Sequence, residues 1–393
     1  MPFELNSSDA QKLLRHFEGR RGEVLSLARA LCEVESPSGD GEGSRAVVGL
    51  IADAASSIGG VESVERVAAA DGYGEHLLVH AFDEGRGAGG GRGLLLLGHT
   101  DTVHPRGTLA ARPWREDGGR IYAPGVFDMK ASCAVVLEAL RACSALGLVP
   151  RRPVTLLLTC DEESGSMSGR ALVEEEARRA ECVLVLEPPA PGGRVKTARK
   201  GTGLFTLSVE GRAAHAGLEP EKGVSAVLEL ARQIEGVYAL ARPEAGTTVN
   251  VGTVAGGTHA NVVAAEARAE VDVRFTTSDE ARRVESALLE LKPFDGRAAL
   301  KVTGGINRPP MERTAAVAGL YERARRVAAA FDFELGEASV GGASDGNFAA
   351  ACGATVLDGL GVDGDGAHAA HEHIRADAVV LRGALLAALV ATL

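Results

Sequence analysis

The sequence lacks the long apolar stretches and the surplus of basic residues that mark membrane-spanning and nucleic-acid-binding proteins. No apolar run reaches the roughly 20 residues that a membrane-spanning helix needs, and the first residues form no basic-then-apolar signal region. The 42 lysines and arginines are outnumbered by 53 acidic residues, so the net charge is -11. Binding to phosphate backbones requires basic patches, whereas an acidic protein can still hold a locally positive pocket for a small anion. We therefore expect a cytoplasmic protein with neither a membrane nor a nucleic acid as partner.

Cysteine is scarce as well, and its spacing argues against the usual cysteine-rich sites. No two cysteines form a CxxC pair, and most of them lie in apolar segments. We expect buried, reduced thiols, not a disulfide framework or a zinc–thiolate site. The cysteines are Cys32, Cys133, Cys143, Cys160, Cys182 and Cys352.

The length and the apolar pattern predict an α/β protein with more than one domain. A chain of 393 residues is too long for one ordinary core, so two domains are expected. Continuous apolar runs at Leu94–Leu97, Val154–Thr159 and Val183–Leu186 predict strands that are covered on both faces. An Ala/Leu-rich helix over Ala131–Leu146 lies between them, and this alternation indicates an α/β layer fold.

The middle third of the chain follows a different order of elements. Its pattern is β-α-β-β-α-β, which is the ferredoxin-like split unit. We therefore expect a small domain, residues 200–306, inserted into a catalytic domain formed by residues 1–199 and 307–393. The predicted elements are strands at Gly203–Glu210, Thr247–Val254, Ala264–Phe275 and Ala298–Thr303, and helices at Gly223–Leu240 and Ser278–Leu291.

Acids and histidines occur at five places at or near predicted strand ends. Ligands in open α/β sheets bind outside the carboxyl ends of the strands, so these side chains can converge. Packed, unpaired carboxylates are costly, and imidazoles with carboxylates suit zinc. Two histidines and three acids would hold two ions, with one carboxylate bridging. The residues are His99 with Asp101, Asp128, Asp161–Glu163, Glu187 and His368.

The same places carry a resemblance to a known family. The strings GHTDTV, GVFDMK, TCDEESGS, LEP and GAHAAHE resemble, in order, the metal-site motifs of the M20 metallopeptidases. The resemblance spans nearly the whole chain. It implies a zinc-peptidase-like, mixed-sheet catalytic domain with two zinc ions, which cobalt can replace. Asp128 would bridge the ions, with His99 and Glu187 on one and Glu163 and His368 on the other.

The resemblance also implies roles for neighbouring residues. Glu162 would be the general base that takes a proton from water and hands it to the leaving amine. Asp101 would accept the free imidazole N–H of His99 and fix its tautomer. The peptide bond between Asp128 and Met129 is expected to be cis.

The last ligand is ambiguous from the sequence. In the family a glycine-rich loop precedes the histidine, and an acid follows four or five residues on. His368 with Glu372 fits this pattern. His371 is the alternative ligand, and His373 is expected at the surface.

Three motifs of the inserted segment resemble the family's lid, which implies substrate-binding and dimerisation roles. His215 would stabilise the oxyanion, often in the partner subunit's site, and Asn261 and Arg274 would grip the substrate carboxylate. Ala264 stands where the family commonly has proline. The lid is expected to pair through an edge strand into a two-fold homodimer. A solvated strand arginine is the alternative for Arg274.

The substrate class implied is a small N-acyl amino acid or dipeptide with a free C-terminal carboxylate. The segment Gly304–Glu312 resembles the return segment of the glutamate-carboxypeptidase branch. Arg308, stiffened by two following prolines, can bind a second acid such as a C-terminal glutamate. Lys200 can serve instead, and a solvated turn residue is the alternative for Arg308.

The sequence argues against two other classes of function and leaves two related ones open. A serine hydrolase needs a GxSxG elbow, and the nearest string, Gly165–Gly169, has methionine at its centre. A non-catalytic binding protein on the same fold conflicts with the complete set of ligands and base. A deacylase of the acetylornithine deacetylase or succinyl-diaminopimelate desuccinylase type and an exo-aminopeptidase both remain open.

Overall fold

The computed structural model describes residues 5–83 and 92–393. Contacts divide the chain into two compact units. The main unit comprises Met1–Thr197, Arg313–Val340 and Ser344–Leu393, and the inserted unit comprises Ala198–Glu312 and Gly341–Ala343. Among the described residues, no helix is both long and apolar enough to cross a membrane.

The helices and strands alternate along the main unit. Its helices, with the labels used below, are α1 (Ser7–Cys32), α2 (Gly41–Ser56), α3 (Thr108–Ala111), α4 (Ala131–Ala145), α5 (Arg170–Arg179), α8 (Ala315–Ala329), α9 (Gly346–Ala351) and α10 (Ala378–Thr392). Its strands are β1 (Val61–Ala68), β2 (Glu75–Ala81), β3 (Gly93–His99), β4 (Arg115–Asp117), β5 (Arg120–Tyr122), β6 (Val154–Thr159), β7 (Ala180–Val185), β8 (Val195–Arg199), β13 (Glu337–Val340), β14 (Thr355–Leu357), β15 (Gly364–Asp365) and β16 (His373–Arg375).

A six-stranded mixed sheet forms the centre of the main unit. Its strand order is β1-β2-β6-β3-β7-β14, and β6, β3, β7 and β14 run parallel. The apolar runs that predict buried strands become β3, β6 and β7, whose residues are almost all buried. Because these strands are parallel, the residues after His99, Thr159 and Val185 leave the sheet at one edge.

The sequence of helix α4 is apolar on every side because the helix is buried on every side. Nearly all of its residues are buried, because it packs against α1 and α10 as well as lying in the core beside the sheet. A second, smaller sheet of the main unit has the order β15-β16-β5-β4. It brings the chain after His368 next to the chain that precedes Asp128.

The inserted unit has the β-α-β-β-α-β order that the sequence predicts. Its sheet is antiparallel with strand order β10-β11-β9-β12, the ferredoxin-like arrangement, and a separate apolar core lies on one face. Its elements are β9 (Gly201–Glu210), α6 (Ala226–Tyr238), β10 (Thr248–Gly256), β11 (Glu266–Phe275), α7 (Ser278–Leu289) and β12 (Ala299–Arg308).

Two boundaries in the inserted unit differ from the prediction by three residues or more. Helix α6 begins at Ala226 because the Ser225 hydroxyl caps it by accepting the N–H of Leu228, so Gly223 lies outside the helix. Strand β12 continues to Arg308 instead of ending at Thr303. Gly304 and Gly305 therefore lie inside a strand and not in a turn.

Candidate active site

The strand ends of the main sheet bring together the first set of candidate ligands. His99 is the last residue of β3 and is 1% exposed. Its Nε2 atom lies 3.2 Å from Asp128 Oδ1 and 3.4 Å from Glu187 Oε1. Glu187 follows the end of β7 and is also buried. These three residues form the first ligand group.

The second ligand group lies against the other carboxylate oxygen of Asp128. His368 Nε2 is 3.5 Å from Asp128 Oδ2 and 3.1 Å from Glu163 Oε2. His368 adopts a left-handed backbone conformation, with φ of 64°, which is rare for a residue with a side chain. The two oxygens of Asp128 thus face two separate groups, one on each side.

The loop that carries Asp128 is irregular. Residues Val126–Lys130 form a helical turn in which Asp128 has φ -118° and ψ 90°, and the Asp128–Met129 peptide bond is cis, as expected. Gly125, before the turn, is left-handed with φ of 72°, and a Cβ there would lie 2.5 Å from Thr102. Glycine is therefore required at this position.

The Asp101 carboxylate contacts the imidazole of His99, as expected, and makes further hydrogen bonds. The nearest atom to His99 Nδ1 is the Asp101 main-chain oxygen at 3.0 Å, with the carboxylate Oδ1 at 3.3 Å. The Asp101 carboxylate accepts the backbone N–H groups of Glu162 and Glu163, at 3.2 and 3.1 Å. Asp101 therefore orients the turn that carries Glu162 and Glu163 as well as the imidazole of His99.

Electrostatics show how strongly the cluster attracts positive charge. Burial acts to raise the pKa of the Asp128 carboxyl, but hydrogen bonds to His368 and His99 outweigh it and lower this pKa well below its usual range. Hydrogen bonds to Asp128 and Glu163 raise the pKa of His368 to about 10. Protons and metal ions compete for the same nitrogens, so the surplus of negative charge that holds a proton on His368 also favours a divalent cation.

The donor set fits divalent metal ions. In each of the two groups the candidate donor atoms lie within 4.8 Å of one another. They are imidazole nitrogens and carboxylate oxygens, which are the ligands that zinc takes in hydrolases. A carboxylate shared between two such groups is suited to holding a pair of cations.

A third group of possible donors includes Asp161, the residue before Glu162. His76, Cys160 and Asp161 are buried together. Their polar atoms are already engaged: His76 Nδ1 accepts the Cys160 N–H, and the Asp161 carboxylate accepts the N–H groups of Ser168 and Gly169. Burial raises the pKa of the Cys160 thiol to about 12, so it stays protonated. This group supports the turn at Glu162.

The structure distinguishes among the three neighbouring histidines. His368 lies in the second ligand group, whereas His371 lines a cavity of about 380 Å³ together with Arg112. The expectation that His373 lies at the surface is wrong. It is 7% exposed, lies in β16, and its ring packs against Tyr122 at 5.1 Å between centroids.

Three residues near the site were missed or unassigned by sequence reasoning. Glu372 is buried behind the loop of Asp128 and bonds to His104, which in turn bonds to Arg112. Glu372 had only its spacing from His368 to indicate it. His104 and Arg112 gave no indication, because their contacts join segments far apart in the chain.

The predicted substrate-binding residues lie in the inserted unit. His215 and Asn261 are exposed and lie on paired loops, since Ala216 N–H donates to the Asn261 main-chain oxygen. His215 Nδ1 accepts the Gly217 N–H at 3.1 Å, so the neutral ring carries its proton on Nε2.

Arg274 and Arg308, the two arginines predicted to bind substrate, differ in their surroundings. Arg274 lies on the open face of the sheet and forms a two-point ion pair with Asp272, at 2.8 Å for each shorter contact. Arg308 is 8% exposed and ends β12. The alternative of a solvated turn residue at Arg308 is therefore wrong.

Comparison with known proteins identifies the family. The profile of peptidase family M20/M25/M40 matches residues 95–392. The chain belongs to this family. This M20 peptidase is 29% identical over 352 residues to carboxypeptidase G2 of Pseudomonas sp. (strain RS-16). The aligned region covers 88% of this chain and 83% of that protein.

Solved structures share the fold of this M20 peptidase. Aminopeptidase PepT from Bacillus cereus ATCC 10987 matches with a TM-score of 0.77 and 22% identity, covering 95% of this chain and 98% of that chain. The M20 family metallo-carboxypeptidase Sso-CP2 from Sulfolobus solfataricus matches with a TM-score of 0.70 and 16% identity, covering 94% and 99%. Membership of the M20 family makes the chain a metal-dependent peptidase of small peptides, and the solved structures show its fold.

Proposed function

We propose that the protein binds two zinc ions and hydrolyses the amide bond of a small N-acyl amino acid or dipeptide with a free C-terminal carboxylate. The observation that carries this proposal is the position of Asp128, whose two oxygens face one imidazole–carboxylate group each. His99 and Glu187 would complete one ion, and Glu163 and His368 the other. When bound, the ions supply Lewis acidity that polarises the scissile carbonyl and lowers the pKa of water.

The protein's own residues carry the proton transfers. Glu162 would accept the proton of the attacking water and donate it to the leaving amine. It suits this role because it shares one short turn with Glu163, and Asp101 holds both of their backbone N–H groups. Adjacent carboxylates in a fixed turn can divide the work of metal binding and proton transfer.

The inserted unit would supply substrate contacts. A Nε2–H on His215 is the donor that a developing oxyanion requires. Arg274 and Asn261 would bind the α-carboxylate, and the ion pair with Asp272 holds the Arg274 guanidinium in place while some of its N–H groups remain to donate. These assignments rest on the family's motifs and on the settings of the side chains.

We further propose that the protein prefers a C-terminal glutamate. Arg308 supports this proposal because it is buried at the end of strand β12, and a planar guanidinium can bind a carboxylate at two points. One such acceptor, Asn307 Oδ1, lies 3.4 Å from Arg308 Nη1. Lys200, the residue between β8 and β9, is the other candidate for the same carboxylate.

A two-fold homodimer through the inserted unit is part of the proposal. Strand β10 is at the edge of its sheet, and an apolar cavity of about 270 Å³ lies between it and α6. Val254 and Val227 at this cavity are 61% and 45% exposed. An open, apolar edge strand is suited to pairing with a second copy.

The roles of the two adjacent glutamates make a direct test. Glu162→Gln should retain the metal and lose turnover by about a hundred- to ten-thousandfold, because an amide cannot accept the proton. Glu163→Gln should instead weaken metal binding. Metal content after gel filtration and steady-state kinetics measure the two effects. Near-normal turnover of Glu162→Gln would show that the roles are assigned wrongly.

The glutamate preference predicts a difference among matched substrates. The kcat/KM for an N-acyl-glutamate should exceed those for the glutamine and alanine analogues by about tenfold or more, or roughly 1.5–3 kcal/mol, because a charge-assisted hydrogen bond is lost in the analogues. Arg308→Ala should erase the preference, and Arg308→Lys should restore part of it. Lys200→Ala tests the other candidate, because loss of the preference in this variant and not in Arg308→Ala would assign the carboxylate to Lys200. Equal rates for the three substrates with the wild-type enzyme would overturn the glutamate claim alone.

Dimerisation predicts complementation between two inactive chains. If His215 acts in the partner subunit's site, mixing His215→Ala chains with Glu162→Gln chains should give heterodimers with one intact site. Activity should then recover to a fraction of the wild-type value after subunits exchange. Exchange is checked with two different affinity tags. Exchange without recovery would mean that His215 does not act across an interface.

A further inference from the structure

We propose that Glu372 is a positioning residue that holds the Asp128 loop in its ligand-binding conformation, and that His104 and Arg112 hold Glu372 in turn. The inference deepens the proposed metal site and rests on it for its functional meaning. Glu372 lies close to the candidate ligand His368 in sequence, but its carboxylate accepts hydrogen bonds from main-chain N–H groups.

The hydrogen bonds of Glu372 carry the argument. One oxygen accepts the N–H groups of Phe127 and Asp128, at 2.9 and 3.0 Å. The other accepts the Gly125 N–H at 2.8 Å and the imidazole of His104 at 2.6 Å. Glu372 is 3% exposed. A carboxylate has about four acceptor positions, so these four donors use its capacity.

The loop needs such a partner because it is irregular. Val126–Lys130 has non-helical torsions at Asp128, so the N–H groups before it are not satisfied by a regular helical ladder. Buried N–H groups without acceptors are costly. Glu372 provides an acceptor for three of these N–H groups. One of the three belongs to Asp128, whose carboxylate faces both ligand groups.

The network continues to the second metal-site loop. Arg112 Nη2 donates to His104 Nδ1 at 3.2 Å, so His104 carries its proton on Nε2 and donates it to Glu372. Arg112 Nη1 donates at 3.2 Å to the main-chain oxygen of Ala369, the residue after His368. One chain of hydrogen bonds therefore touches the loops of both Asp128 and His368.

This arrangement assigns Glu372 a role different from that of Glu163. Glu163 places its carboxylate against His368 Nε2 in the second ligand group. Glu372 instead directs both oxygens at backbone N–H groups. Changing it should disturb the metal site through the loop, which is the behaviour of residues that support metal ligands.

The test uses Glu372→Gln in the full-length protein. Either orientation of the amide places its NH2 group against backbone donors, so the loop should loosen. Zinc affinity, measured by competition with a chelator, should fall by about ten- to a hundredfold. Hydrogen exchange of the amides of Gly125, Phe127 and Asp128 should speed up in protein without metal.

Glu229→Gln is the matched control. Glu229 is a buried carboxylate of the inserted unit, 2% exposed, that accepts the N–H groups of Phe294 and Asp295 at 2.9 and 3.0 Å. Its replacement should lower the melting temperature while zinc affinity stays within about twofold of wild type. An equal loss of zinc affinity in this control would mean that general destabilisation explains the effect, and the proposal would be overturned.

A second pair of variants covers the case in which Glu372→Gln does not fold. His104→Ala removes one donor to Glu372 and should lower zinc affinity, whereas His104→Gln places an amide N–H near the lost Nε2 and should restore part of it. Wild-type zinc affinity and exchange in Glu372→Gln, or in both His104 variants, would overturn the proposal. Failure of the wild-type protein to bind zinc would refute the proposed function instead, and the exchange measurement would still decide the role of Glu372.

Discussion

Mutual repulsion among buried carboxylates is the constraint around which the main unit is built. Asp128 has Glu187 on one side and Glu163 on the other, with donor atoms in each group within 4.8 Å. Two like charges at that distance repel by on the order of 3 kcal/mol at an effective dielectric constant of about 20. Cations, supplied by protonated imidazoles or by metal ions, stabilise such a cluster. The surrounding elements serve to hold these groups together despite the repulsion.

Strand geometry and uncharged hydrogen-bond donors hold these carboxylates in place. Parallel strands β3, β6 and β7 deliver His99, the Glu162–Glu163 turn and Glu187 to one edge of the sheet. Backbone N–H groups then satisfy the carboxylates that are not ligands, as at Asp101 and Glu372. These bonds fix positions without adding positive charge that would compete with a metal ion. The dipoles of backbone N–H groups thus support the site, and the ligand carboxylates stay open to cations.

The sequence predicts the parts of this arrangement that depend on local pattern. Strand β6 matches its predicted bounds, because Pro153 precedes the short apolar run and the acids Asp161–Glu163 follow it closely. The predicted strand ends at Thr303, whereas β12 continues through Gly304 and Gly305 to Arg308. In the structure Gly304 has φ of 105°, and a Cβ there would lie 2.1 Å from the Leu204 main-chain oxygen, so a glycine is needed within the strand. The bonds of Glu372 to His104, and the burial of His373, depend on tertiary contacts that no local pattern records.

The most direct test of the account is the position of metal in a crystal grown with zinc and measured at the zinc absorption edge. The account predicts two anomalous peaks per chain, each about 2.0–2.2 Å from a different oxygen of Asp128. One should also contact His99 and Glu187, and the other His368 and Glu163. A single peak, or two peaks that do not share Asp128, would contradict the central claim.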